Sequence, residues 1–172
     1  MITTTFARHV KPSLPSVLRI IAREQHFLAN VPLKKRGVDK VSADNLKGKV
    51  LLLYYSAGWC RSCRMFTPKL KKFYEELGDA ERSNLEVVWI SRDKEAADQL
   101  EYYEKAMPPW YYIPFGDPNI QGFLEKYGVK VIPALKLVND KGEVLSETAR
   151  ADVEGCVKDE ATKCYNKWKD LY

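Results

Sequence analysis

Residues 50–68 constrain this chain more than any other stretch: Val-Leu-Leu-Leu-Tyr-Tyr-Ser-Ala-Gly-Trp-Cys-Arg-Ser-Cys-Arg-Met-Phe-Thr-Pro. The apolar run Val50–Tyr55 predicts a buried strand. Ser56, Ala57 and Gly58 predict a tight turn. Trp59 leads from it into Cys60-Arg61-Ser62-Cys63 and a helical pattern. Positions i and i+3 of a first helical turn lie about 5 Å apart at Cα, inside the span of a disulfide. The spacing therefore predicts a redox dithiol. Unsatisfied N–H groups and the helix dipole favour a thiolate at Cys60, whereas Cys63, one turn in, is the shielded, resolving thiol. Half of a zinc site is the rival reading, and it needs a second pair or nearby histidines. Cys156 and Cys164 have no histidine near them, and His9 and His26 lie far upstream, so no metal centre is expected. On one continuous helix Cys156 and Cys164 sit about 12 Å apart, too far to bridge, and are expected as free thiols.

A length of 172 residues predicts one domain with extensions. No apolar run approaches the length of a membrane span. Four cysteines are too few for a disulfide scaffold. The net charge of +5 is spread through mixed-sign segments, Lys34-Lys35-Arg36 apart. That pattern lacks the basic stripe with interleaved aromatics of a nucleic-acid binder. Residues 1–24 read as a basic extension. Arg8, Lys11, Arg19 and Arg23 occur with no acidic residue before Glu24, among threonines and serines, with Leu14, Val17, Leu18 and Ile21 at helical spacing. This composition predicts a mitochondrial transit peptide, the alternative being a cytoplasmic chain whose first helix packs on the domain or frays. Residues 25–172 are the expected domain.

Val38 and Val41 predict a short edge strand, and Ser42–Leu46 one helical turn ending at Gly48. A helix over about 61–77 is expected to kink at Pro68 and close at Gly78. A buried strand at 85–90 follows, then a helix over 94–105 with Asp93 as its cap. Met107-Pro108-Pro109-Trp110 breaks that helix, and residues 111–115 read as extended. Asp117-Pro118 starts a helix ending at Gly128. Residues 134–138 and 143–147 predict a hairpin around Asn139-Asp140-Lys141-Gly142. A last helix is expected over 153–169. Two β-α-β units, a hairpin and a helix make an α/β domain with a mixed sheet.

Trp59-Cys60-x-x-Cys63, Pro68, Tyr127-Gly128 ahead of Ile132-Pro133, and the Gly142 hairpin together resemble the thioredoxin superfamily. The resemblance implies a thioredoxin-like fold, a central mixed sheet flanked by helices. It also implies that the Ile132–Pro133 bond is cis and that its loop faces the active-site sulfur. The backbone of Ile132 then stands where an extended substrate can pair by strand addition. Ser-Ala-Gly-Trp-Cys, Arg64-x-Phe66-Thr67-Pro68-x-Leu70, Phe73-Tyr74, Met107-Pro108 with Trp110, Pro114 and Phe115, and Gly142-Glu143-Val144 leading to Ala149-Arg150-Ala151 look like the tryparedoxin and nucleoredoxin branch, over roughly residues 25–155.

That branch implies a thiol–disulfide oxidoreductase, expected here as a monomer. It would take electrons from the low-molecular-weight dithiol trypanothione and pass them to peroxidases and other disulfide proteins. No cofactor is expected beyond the redox-active Cys60–Cys63 disulfide. One alternative is a thioredoxin or nucleoredoxin reduced by a flavoprotein. Another is a redox-slow binding module on the same fold. Trp59 is expected as an apolar lid beside the sulfurs. Trp110 either lines the same groove or packs under the adjoining segment. Arg150 resembles an arginine that contacts the carboxylates of glutathionyl arms, with a solvated surface position as its rival. Two departures stand out. Arg61 and Ser62 replace the two prolines that tryparedoxins carry between the cysteines, which favours the Cys60 thiolate further and alters redox poise. Tyr54 occupies the position six residues before the first cysteine where thioredoxins bury an acid.

Overall fold

The computed structural model describes residues 25–158 and 160–172; the expected N-terminal extension, residues 1–24, lies outside them. The elements are β1 (Lys34–Lys35), β2 (Val50–Ser56), α1 (Arg61–Glu76), α2 (Asp79–Ser83), β3 (Leu85–Ser91), α3 (Ala96–Ala106), β4 (Tyr111–Tyr112), α4 (Pro118–Lys126), β5 (Ala134–Val138), β6 (Val144–Ser146), α5 (Ala149–Gly155) and α6 (Ala161–Lys169). The six strands form one mixed sheet in the order β1-β4-β3-β2-β5-β6. β2 runs parallel to β3 and antiparallel to β5.

Every residue of β2 and β3 is buried because helices cover both faces of these central strands. Side chains alternate between the faces. Leu52 and Tyr54 join Phe66, Leu70 and Phe73 of α1 in one core. Leu51, Leu53 and Tyr55 join Phe123, Leu124 and Tyr127 in the other. The parallel register sets Ser56 opposite Ser91, so the turn after β2 and the loop after β3 emerge side by side. This is the edge of the sheet where the dithiol sits.

Several local expectations change. The edge strand is Lys34–Lys35, paired with β4; Val38 only bridges back to Lys35. α1 runs through Pro68 and ends at Glu76, and Gly78 caps the short α2 instead of closing α1. Asp93 does not cap α3, which starts three residues later behind Glu95. The last helix is two helices. α5 stops at Gly155, Cys156 is extended, and α6 restarts at Ala161. The break turns the chain back, so that Val153 and Trp168 both reach one core. Trp168 lies 5.2 Å from the Phe73 ring and donates its indole N–H to Asp152 Oδ2 at 3.0 Å.

Tyr54 resolves into a hydroxyl chain. Its phenol meets Thr67 Oγ1 at 2.6 Å, and the same Thr67 oxygen meets the Tyr102 phenol at 2.6 Å. Burial pushes both phenols above their ordinary range, so they stay protonated. Thr67→Val keeps the shape but removes the shared partner, and is expected to cost about 1–3 kcal/mol of stability. Urea unfolding of both proteins measures this difference.

Candidate functional site

Cys60 and Cys63 form a disulfide with a Cα–Cα distance of 5.2 Å. Cys60 is the N-cap of α1, and its sulfur accepts the Cys63 backbone N–H at 3.2 Å. Cys60 is 8% exposed and Cys63 is fully buried. An approaching thiol or disulfide therefore meets Cys60 first. The helix start adds unsatisfied N–H groups that stabilise a thiolate once the bond is reduced.

The turn that delivers Cys60 is held on both sides. Gly58 N–H donates to Asp93 Oδ1 at 2.8 Å, and the Gly58 carbonyl accepts from Arg64 Nη1 at 2.6 Å. Asp93 is buried, and its other oxygen accepts from Ser91 Oγ at 2.7 Å. A side chain on Gly58 would meet Tyr102 Cβ at 3.1 Å, which accounts for a glycine at this close approach. Trp59 is 56% exposed and donates its indole N–H to the Arg92 carbonyl at 3.0 Å. Asp93, Arg64 and Arg92 were not foreseen as site elements. Their signal is topological, since parallel strands deliver their carboxyl ends to the same edge.

The Ile132–Pro133 bond is cis. The Ile132 carbonyl oxygen lies 3.8 Å from Cys60 Sγ, and Ile132 packs against Ala57, Cys60 and Cys63. Arg150 reaches the same loop and donates from Nη1 to the Pro133 carbonyl at 3.2 Å. Its other nitrogens hold Glu154, and its guanidinium lies over the Phe66 ring. Arg61 and Ser62 are exposed on the first turn of α1. The fold thus brings together Trp59, Cys60, Arg61, Ser62, Cys63, Ile132, Pro133 and Arg150.

It does not bring Trp110. Trp110 is fully buried in the core, edge-on to Tyr54 and Tyr74 at 6.3 and 5.8 Å. The Pro108-Pro109 break returns the chain into β4 beneath the sheet face, so Trp110 packs inward and does not line the groove. A cavity of 590 Å³ opens beside Trp59 over Thr67, Pro68 and Tyr102, and neither cysteine lines it. Among the described residues no group of three or more histidine, cysteine or acidic side chains is placed to hold a metal. No described helix is long and apolar enough to cross a membrane.

Cys156 and Cys164 are free thiols, both partly buried against the core. Burial raises both, pushing Cys164 up to about 12. After mild reduction, alkylation at neutral pH is expected to label Cys60 quickly and Cys156 and Cys164 slowly. Peptide mapping by mass spectrometry reads the order.

A cysteine sulfur capping a helix, the more accessible of a pair whose partner is fully buried one turn below, and a cis-proline loop across from them define a thioredoxin-type dithiol site. The thioredoxin-like family profile matches residues 48–144. The chain belongs to that family. It is 42% identical to tryparedoxin of Trypanosoma brucei brucei over 123 residues, 70% of this chain and 81% of that protein. It is 36% identical to probable nucleoredoxin 1 of Arabidopsis thaliana over 70% of this chain, but spans only 20% of that longer relative. The match to human nucleoredoxin, 28% identical over 71% of this chain, likewise spans only 28% of that protein. Among solved structures, a thioredoxin from Wuchereria bancrofti superposes with a TM-score of 0.69 at 37% identity, covering 83% of this chain and 98% of that one. A tryparedoxin II complexed with glutathionylspermidine gives a TM-score of 0.64 at 35% identity, covering 71% of this chain and 83% of that one. The chain is a thioredoxin-family oxidoreductase similar to tryparedoxin and nucleoredoxin.

Proposed function

We propose that this protein is a tryparedoxin-like disulfide reductase, charged by a low-molecular-weight dithiol of the trypanothione type and discharging into disulfide or peroxidase proteins. The observation that carries the reading is the Cys60 sulfur, the more accessible member of the pair, set 3.8 Å from the Ile132 carbonyl beside the cis-proline loop. Arg150 on the Pro133 carbonyl supports it with a guanidinium at the rim, suited to the carboxylates of a glutathionyl group. Likeness to a tryparedoxin crystallised with glutathionylspermidine supports the choice of reductant.

In the cycle, the Cys60 thiolate attacks one sulfur of a substrate disulfide. A mixed disulfide forms and the other substrate sulfur leaves as a thiolate, which takes a proton from water. Cys63 then attacks Cys60, releasing the second substrate sulfur and leaving Cys60–Cys63 oxidised. A dithiol reverses the exchange and returns two electrons. Tyr54 keeps its proton, so it does not supply the base that an acid at that position would.

The nucleoredoxin matches favour a second reading, in which a flavoprotein is the reductant. Insulin reduction separates the two. Turnover is expected to be at least about tenfold faster when trypanothione is regenerated than with NADPH and thioredoxin reductase. The reverse order establishes the flavoprotein reading. No turnover with either, or with dithiothreitol, defeats the reductase assignment and leaves a redox-slow binding module.

A further inference from the structure

Four cations stand on the segments around the dithiol. Arg61 follows Cys60 directly, and Arg92 lends its carbonyl to the Trp59 indole. Lys94 Nζ lies 6.0 Å from the centre of the Trp59 ring. Lys130 precedes Ile132 by two residues on the cis-proline loop. All four are exposed. Among the described residues none of them forms an ion pair, whereas lysines elsewhere on the helices do: Lys71 with Glu75, Lys72 with Glu76, Lys105 with Glu101, Lys163 with Glu160. Arg64 adds a fifth exposed cation, its guanidinium turned onto the Gly58 carbonyl.

The acids of this face do not balance them. Asp93 is buried on Gly58 and Ser91. Glu154 is taken by Arg150. Asp98 and Glu101 line the cavity beside Trp59 that neither cysteine reaches. Glu101 pairs with Lys105, which leaves Glu95 and Asp98 as the exposed acids beside Trp59, two against the four cations. The centre of the face is apolar, with Trp59 and with Val131, which is 75% exposed. An apolar centre inside a rim of one charge sign steers a partner of the opposite sign and speeds its encounter.

We propose that this face selects disulfide partners whose reacting cysteine lies in an acidic segment, with Arg61, Arg92, Lys94 and Lys130 meeting its carboxylates around Trp59 and Val131. The proposal rests on the reductase reading above and names its substrate class.

Two synthetic peptides of equal length test it, carrying the same disulfide flanked by three aspartates in one and three lysines in the other. Each is mixed with the pre-reduced full chain, and the second-order rate is read by acid quench and mass spectrometry. At about 10 mM salt, where charges act over about 30 Å, the acidic peptide is expected to react at least about tenfold faster. The ratio should fall towards one at about 1 M salt, where screening leaves about 3 Å. It should also fall in the double variant Arg92→Ser, Lys130→Ser, whose changes lie off α1. Equal rates at low salt, a ratio unmoved by salt, or a ratio unmoved in the variant overturns the proposal. Uncharged hydroxyethyl disulfide separates the two levels. If it is reduced while the peptides show no preference, the charge proposal alone falls; if none of the three disulfides reacts, the reductase reading falls with it.

Discussion

Cys63→Ser is expected to turn the protein into a trap. Cys60 stays at the helix start and still attacks, but the mixed disulfide it forms has lost the buried thiol that resolves it. Non-reducing electrophoresis should show a one-to-one covalent adduct with a disulfide substrate, released by dithiothreitol, and insulin reduction should cease. Cys60→Ser should abolish both turnover and any adduct at the dithiol, because the remaining sulfur of the pair, Cys63, is fully buried and cannot be reached from solvent. An adduct in Cys60→Ser, or its absence in Cys63→Ser, would invert the roles assigned here. The difference between the two cysteines rests on accessibility and on the helix terminus, which act together at Cys60.

The second large effect is on stability. Trp110→Ala is expected to cost about 3–5 kcal/mol, a large share of the roughly 5–15 kcal/mol of a typical domain. The side chain is fully buried and edge-on to two tyrosine rings, so truncation leaves a cavity that the central strands cannot collapse to fill. Urea unfolding at fixed pH measures the loss. Rates with hydroxyethyl disulfide, taken well below the unfolding midpoint, should stay near wild type. A stable variant with weakened substrate reaction would instead place Trp110 at the groove.

These two residues show what kind of information a sequence holds. The dithiol was legible because its chemistry is local. Strand, turn, Trp59 and Cys-x-x-Cys lie within one short stretch, and helical geometry alone fixes the distance between the two Cα atoms. Trp110 was not legible, since a tryptophan after a proline pair fits a groove or a core equally well. Only the pairing of β4 with β3 turns it inward. Asp93 is a parallel case. As a short polar residue ahead of a helix it reads as a cap. In the fold, the parallel register places it against Gly58 of the neighbouring turn, and that tertiary hydrogen bond prevails over the local one.

The last helix failed for a related reason. Its periodicity is continuous, but Val153, Tyr165 and Trp168 all have to reach the same core. A straight helix over 153–169 would be about 25 Å long, and breaking it at Cys156 folds its second half back. The hairpin at Asn139–Gly142 succeeded because its signal is local: Gly142 has a φ of +76°, and Asn139 Oδ1 accepts from the Lys141 and Glu143 N–H groups.

The sequence by itself determined the mixed α/β sheet, the placement of the dithiol at a strand-to-helix turn, and which of the two sulfurs heads the helix. Those follow from periodicity, turn residues and the spacing of two cysteines, all short-range. Only the tertiary structure decided what surrounds the sulfurs. It set the Ile132 carbonyl across from Cys60, clamped Gly58 between Asp93 and Arg64, and brought Arg150 to the Pro133 carbonyl. Ile132 is 72 residues from Cys60 and Asp93 is 35 from Gly58; they meet through the sheet register and the packing of helices on it, which no local pattern specifies.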